Sequence, residues 1–324
     1  MAIDSVDVGT DVTVRDLLDA GLHFGHQTKR WNPRMKRFIF NERNGIYIID
    51  LAQSLSCLKA AQTFLYDTVS RGRKVLFVGT KKQAQDPLRE VAARLGQPYV
   101  VHRWLGGTLT NATTVRKSVN RMRELQEQVT ETGEIRASSK KEGAKQRREL
   151  NKLERNLGGI ADMEQLPGAL FIVDLNRESI AVAEASRLNV PIVALVDTNC
   201  NPDPVDFPIP GNDDAIRAIR LIVNTLADTI QRAANEYAKF QAEEMRRREA
   251  EEAEAKVKAE AAEEIARKMR AEAVERAKAE PRPAPAAAAP AVTSAPAAPA
   301  ATEAPPTPVE ATPPPAAVDE STPE

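Results

Sequence analysis

The sequence predicts an α/β protein with a mostly parallel sheet covered by helices on both faces. Three observations lead there. Lys74-Val75-Leu76-Phe77-Val78-Gly79, Ala169-Leu170-Phe171-Ile172-Val173-Asp174 and Pro191-Ile192-Val193-Ala194-Leu195-Val196-Asp197 are continuous apolar runs, the pattern of strands buried on both faces. Helical spacings alternate with such runs at Leu51–Ser70, Lys82–Leu95 and Glu178–Leu188, and strand–helix alternation points to parallel pairing. An insertion between Val101 and Ala169 carries a stripe only one residue wide, which two helices satisfy by packing on each other.

Taken in order, Val12 to Ala20 reads as a short amphipathic helix, with Thr13 as cap, Val14, Leu17 and Leu18 apolar, and Gly21 as stop. Lys29, Arg30, Arg34, Lys36 and Arg37 then place five cations in nine residues around Trp31 and Asn32. Pro33 bars a plain helix there. Cations on an irregular loop pair with phosphate and a ring stacks on a base, which suits RNA; a solvated loop with Trp31 in the core has the same composition. His23 and His26 are three apart, but His102 is the only other histidine, so a hydrogen-bonding role is expected over a metal site.

Phe38-Ile39-Phe40 and Ile46 to Asp50 read as strands around an Asn41–Gly45 turn. Gly96 ends the Lys82–Leu95 helix, and Tyr99-Val100-Val101 is a short buried strand. The stretch His102 to Asn111 follows, a hinge between a globular body and a helical projection. Gly106-Gly107 permits backbone angles closed to other residues, Arg103 sets a cation beside Trp104, and Thr108, Thr110 and Asn111 suit phosphates, sugars or a helix cap. A glycine turn with a buried Trp and a Thr/Asn cap fits the same residues. Val115, Val119, Met122, Leu125 and Val129 form one arm of the insertion; Gln146, Leu150, Leu153 and Leu157 form the other, with Gly133–Lys141 as the tip of an antiparallel coiled-coil hairpin. A last helix starts at Asp213 and runs through Ile216, Ile219, Val223, Leu226, Ile230 and Tyr237. Gln241 to Glu280 is an exposed helix of Ala, Glu, Lys and Arg, and Pro281 to Glu324, with 13 of the 22 prolines, is expected to be disordered.

Composition narrows the function. Residues 1–158 carry 28 Lys+Arg against 17 Asp+Glu, and residues 159–324 carry 17 against 29; the basic half implies a polyanionic partner. Cys57 and Cys200 make no disulfide framework. Met1 to Arg15 has no apolar run, and no segment is long and apolar enough for a bilayer, so a soluble, cytoplasmic protein without a membrane partner is expected. An enzyme binding a nucleotide or phosphate ligand would place it beyond the strands' carboxyl ends, at Asp50, Gly79-Thr80-Lys81, Asp174 and Asp197. The glycine-rich phosphate signatures are missing, and Asp174 and Asp197 read as caps in preference to a cation site shared with Asn199 or Asp203. A coiled-coil adaptor that binds only proteins leaves the basic half without a purpose.

The motifs Gly21-Leu22-His23-Phe24-Gly25-His26-Gln27-Thr28 with Trp31-Asn32-Pro33, Gly45 to Leu51, Val78-Gly79-Thr80-Lys81-Lys82-Gln83-Ala84, Arg103 to Asn111 and Val196 to Pro202 occur in order. On them the chain, from about Val12 to Tyr237, resembles the bacterial small-subunit ribosomal protein S2 family. Ala112 departs from the pattern, which usually has an aromatic there. The resemblance implies a flavodoxin-like, mostly parallel five-stranded sheet with the inserted hairpin and a C-terminal helical extension. It implies a structural constituent of the small ribosomal subunit that binds 16S rRNA, supports assembly and translation, and helps dock ribosomal protein S1 among other small-subunit proteins. No catalytic role, cofactor or metal is expected. Candidate RNA-binding residues are His26, Lys29, Arg30, Trp31, Asn32, Arg34, Lys36, Arg37, Arg103, Trp104, Thr108, Thr110, Asn111, Arg116 and Lys117. The expected division is an α/β domain at 1–240, with the hairpin at about 112–158, a charged helix at 241–280 and the tail at 281–324.

Overall fold

The computed structural model describes residues 12–129 and 139–279. Thr13 caps α1 (Val14–Asp19) reciprocally: its hydroxyl accepts from Asp16 N, and the Asp16 carboxylate accepts from Thr13 N. Of its three apolar residues, Leu17 is buried and Val14 and Leu18 are exposed. Next comes a small antiparallel sheet of β1 (Phe24–Gln27), β2 (Ile39–Arg43) and β3 (Ile46–Ile49), ordered β1-β3-β2. The β2–β3 turn is tighter than expected, because β2 continues through Arg43 and the chain reverses at Asn44 and Gly45, with φ of 53° and 74°. Asn-Gly tolerates that pair of angles.

The Asp50 carboxylate accepts from Ala52 N and Gln53 N and so starts α2 (Leu51–Ser70), with the predicted ends. The main sheet holds β4 (Val75–Val78), β5 (Tyr99–Val100), β6 (Ala169–Val173), β7 (Ile192–Val196) and β8 (Phe207–Pro210), ordered β5-β4-β6-β7-β8, with every neighbour parallel. The fold is the α/β class expected. Strand β8 was not foreseen: Pro208 and Pro210 argue against a strand, and they are accommodated because β8 is an edge.

Side chains alternate between two cores. Val75, Phe77, Ala169, Phe171, Val173, Val193 and Leu195 face one, with α2, α3 (Lys82–Leu95) and the first turns of α7 (Ile216–Ala279). Leu76, Val78, Leu170, Ile172, Ile192, Ala194 and Val196 face the other, with α6 (Ser179–Arg187) and the insertion. Both faces are covered, which is why these strands read as unbroken apolar runs. Within the first core Gln62 Nε2 donates to Thr229 Oγ1 at 2.9 Å, and at its edge the Tyr66 hydroxyl donates to the exposed Glu236.

The insertion is α4 (Ala112–Glu127) and α5 (Lys140–Leu157), packed along the predicted stripe with Val119, Met122, Leu125, Leu150 and Leu157 buried. Ser139 caps α5, so Lys140 and Lys141 belong to the helix and not to the tip; the rest of the expected tip, and Pro281–Glu324, lie outside the described residues. The chain divides into two compact units, 1–255 and 256–324. On α7 the last fully buried residue is Ala233, and residues 256–272 are exposed. Pairs such as Arg247–Glu251 and Glu264–Lys268 support this charged stretch. Among the described residues no helix is long and apolar enough to cross a membrane.

A single turn, Gly158–Ile160, seats the end of α5 against β5. A Cβ on Gly159 would lie 2.2 Å from the Tyr99 carbonyl oxygen, whereas one on Gly158 would meet nothing within 4 Å. Gly159→Ala is therefore expected to cost about 1–3 kcal/mol by overpacking, and Gly158→Ala much less. Urea unfolding of the two variants measures the difference.

Candidate nucleic-acid interface

The chain leaves β5 at Val100 and reaches α4 through the turn predicted to be a hinge. Its geometry is set by Glu184, which lies on α6 with its side chain turned inward and is 8% exposed. Glu184 Oε1 accepts from Trp104 Nε1 at 3.0 Å and Gly107 N at 2.7 Å; Oε2 accepts from Leu109 N at 3.0 Å, Thr110 N at 3.1 Å and Thr110 Oγ1 at 3.2 Å. Burial pushes this carboxyl up, but the bonds from Trp104, Gly107, Leu109 and Thr110 outweigh it and hold it below its ordinary value. Gly107 sits at φ 89°, with Asn111 N donating to its carbonyl, an angle that only glycine adopts freely.

This arrangement corrects two of the candidate contacts. Trp104 is buried, with its one donor committed to Glu184, and Thr108 is buried, with its hydroxyl donating to the Leu105 carbonyl at 2.5 Å. They build the turn and offer no surface to a partner. Arg103, Thr110, Asn111, Arg116 and Lys117 are exposed around it. Arg116 Nη2 donates to the Glu164 carbonyl at 2.7 Å, and beside it Ala112 lines a groove of about 130 Å³ with Val115, Ile160 and Leu166.

The basic segment is held by the loop after β7. His26 N donates to Thr198 Oγ1 and Asn32 N to the Thr198 carbonyl, both at 2.8 Å. Asn32 Oδ1 in turn caps the short 3₁₀ helix Pro33–Phe38 by accepting from Arg34 N at 3.0 Å, while Met35 and Phe38 anchor that helix in the second core. Lys29, Arg30, Lys36 and Arg37 are exposed, and among the described residues they form no ion pair; Arg34 pairs with Asp203. The Trp31 ring is half-buried, 5.2 Å from the Tyr47 ring.

The strands' carboxyl ends carry a buried charge cluster. Lys81 Nζ lies 2.6 Å from Asp213 Oδ1, 2.5 Å from Asp214 Oδ1 and 3.7 Å from Asp174 Oδ2. Burial lowers the Lys81 pKa, but Asp213 and Asp214 more than compensate and the net shift is upward. Burial, aided by Asp197, lifts Asp213 to about 7 against the opposing effect of Lys81. His26 Nδ1 is 3.0 Å from Asp197 Oδ2; since a carboxylate only accepts, that nitrogen carries the proton, and the bond raises the His26 pKa. Asp174 Oδ1 accepts from Asn176 N and Arg177 N, the capping role expected. Thr80 N donates to Glu178 Oε1 at 2.8 Å. A phosphate placed here would meet carboxylates already holding the amide and the lysine, so the crevice where such sheets bind nucleotides is used internally.

The structure thus gathers His26 with Asp197, and Asn32 with Thr198, across more than 160 residues of chain. The sequence reading missed Glu184. Its signal was an acid flanked by Ala181, Val182 and Ala185, all buried on α6.

A doubly wound parallel domain whose ligand crevice is closed by its own ion pairs, and whose unpaired cations lie on pinned loops, is a structural α/β protein that presents a surface. Residues 17–233 match the family model of ribosomal protein S2. A small ribosomal subunit protein uS2 of Mycobacteroides abscessus is 58% identical over 219 residues, covering 68% of this chain and 79% of its own. The proteins of that name from Corynebacterium jeikeium and an Arthrobacter species are 54% and 59% identical, covering 74% and 68% of this chain and 86% and 74% of theirs. The chain belongs to the ribosomal protein S2 family. It is a structural, non-enzymatic component of the small ribosomal subunit, acting in translation in the cytoplasm alongside ribosomal RNA and other ribosomal proteins.

Glu184→Gln tests the clamp. An amide has one oxygen to replace two acceptors, so its NH₂ faces backbone donors wherever it points, at a cost of about 1–3 kcal/mol. Because the folded carboxyl lies below 4.5, its stabilisation is complete above that pH and disappears as pH falls through the lower folded value. The stability gap between wild type and Glu184→Gln, followed by urea unfolding, should close on acidification.

Proposed function

We propose that the α/β domain, residues 1–240 with the hairpin at about 112–158, binds 16S rRNA through two surfaces, and that residues 241–280 and 281–324 are appendages to it. The first surface is the segment of Lys29, Arg30, Lys36 and Arg37, with His26, Asn32, Arg34 and the half-buried Trp31 beside them. The second is the rim of the hairpin root: Arg103, Thr110, Asn111, Arg116 and Lys117. The observation that carries this reading is the exposure of four unpaired cations on a segment fixed to the core by Met35, Phe38 and Thr198. A rigid backbone keeps cations at a set spacing, so phosphate contact loses little conformational freedom. Docking of ribosomal protein S1 rests on the family resemblance, and the exposed groove at Ala112 and Leu166 is compatible with a protein neighbour.

The test replaces Lys29, Arg30, Lys36 and Arg37 with alanine and measures affinity for 16S rRNA across salt concentrations. Each lost phosphate contact should flatten the log–log slope by about 0.7–0.9, with unfolding stability unchanged. A slope equal to wild type would remove these residues from the interface.

A further inference from the structure

A polar pocket of about 80 Å³ lies at the edge of the main sheet, where the end of β5 meets α3 and the last turn of α5. Arg89 of α3, His102 after β5, and Glu154, Arg155 and Asn156 of α5 line it. A single water needs about 10–15 Å³, so the space admits a larger group. In the pocket wall His102 Nδ1 is cut off from solvent and has no hydrogen-bond partner, a state that native structures rarely leave unanswered.

The charges around His102 select what fills the pocket. Arg155 is exposed and forms no ion pair among the described residues. Arg89 Nη1 lies 3.6 Å from Asp86 Oδ1, with both side chains well exposed; that is too long for a hydrogen bond, and most of the five guanidinium donors stay open. Glu154, the one acid of the lining, has its Oε1 committed to Gln126 Nε2 of α4 at 2.7 Å. Burial holds the His102 pKa below its ordinary value, and Arg155 and then Arg89 push it further down, against a smaller upward effect of Asp86. The nearby charges thus make the potential at the ring positive, which an anion answers and a water does not.

We propose that this pocket binds a phosphate group, held by the guanidinium groups of Arg89 and Arg155, by His102 Nδ1 and by the Asn156 side-chain amide. Donors that come from two helices and a strand end suit a tetrahedral oxyanion, whose oxygens point in several directions; a carboxylate offers two in one plane. Arginine forks pair with phosphate through parallel bonds. The phosphate belongs to the RNA backbone or is a free ion. The first source rests on the rRNA contact proposed for the hairpin root, which begins at the next residue, Arg103; the second does not. His102 gives the site a pH dependence. An anion against the ring favours its protonated form and so raises the pKa that burial and the arginines lower. Binding takes up a proton, and affinity rises as pH falls below neutral. Asp86 and Arg89 of α3, Tyr99 of β5, and Glu154 and Arg155 of α5 are the other charged or titratable groups around the ring.

The full-length protein is titrated with inorganic phosphate and, separately, with a 16S rRNA fragment, while the imidazole resonances are followed by NMR; His102→Gln assigns the His102 signal. The expected result is a saturable shift of that signal, with phosphate affinity lowered about tenfold in Arg155→Ala and in Arg89→Ala. Sulfate, a tetrahedral anion of constant charge, should bind more tightly as pH falls. Both arginines are exposed, so their variants keep the fold, which an unchanged melting temperature checks. If RNA displaces the bound phosphate, the RNA backbone is the source; if phosphate stays when RNA binds, the ligand is the free ion. Should the rRNA reading fail, the phosphate titration still reads the pocket, so the two failures separate. A His102 signal unmoved by both phosphate and RNA overturns the proposal, and so does a shift that survives both arginine substitutions.

Discussion

Glu184 accepts five hydrogen bonds from the turn that joins β5 to α4, and the hairpin's attachment depends on them. The turn must reverse direction between an edge strand and a helix, which leaves backbone N–H groups without partners of their own. Leu109 N and its neighbours lie in or near the second core, where an unpaired donor is expensive. One ionised carboxylate satisfies three amides, an indole and a hydroxyl together, and bonds to a charged acceptor are the stronger kind. The burial of Trp104 and the positive φ of Gly107 both follow from fitting the chain around that acceptor.

The loop after β7 plays the matching part for the basic segment. Asp197 holds His26, Thr198 holds the backbone at His26 and Asn32, and Asp203 pairs with Arg34. The carboxyl ends of the strands, which in enzymes of this fold class receive a ligand, are here used to fasten loops. That use fits a structural component of the small ribosomal subunit. The domain's chemistry goes into holding two surface segments in shape, and its crevice is filled with internal ion pairs.

The parts of this design that are periodic were legible in the sequence. The continuous apolar runs named β4, β6 and β7, and Gly96 marked the end of α3 because a left-handed stop is a local signal. The one-residue stripe identified the hairpin because a narrow seam fits only another helix. What escaped was non-local. Phe24–Gln27 is a strand only because β3 pairs with it, and Phe207–Pro210 is one only because an edge tolerates proline. Trp104 fitted a binding role and a buried turn equally well, because nothing near it in sequence announces an acceptor 80 residues away. Glu184 went unnoticed for the same reason. The cations were found readily, since charge density is visible residue by residue; their freedom from ion pairs was not.

Amide hydrogen exchange on the wild-type protein tests the central claim most directly, because it reads the three backbone donors to Glu184 one by one. The turn lacks regular secondary structure, and Thr110 is exposed as a residue, so an unclamped loop would exchange there at rates near those of a free chain. If Glu184 holds the turn, the amides of Gly107, Leu109 and Thr110 will be protected to a degree approaching the strands of the main sheet. Rapid exchange at these three positions, with β4 and β6 still protected, would contradict the account.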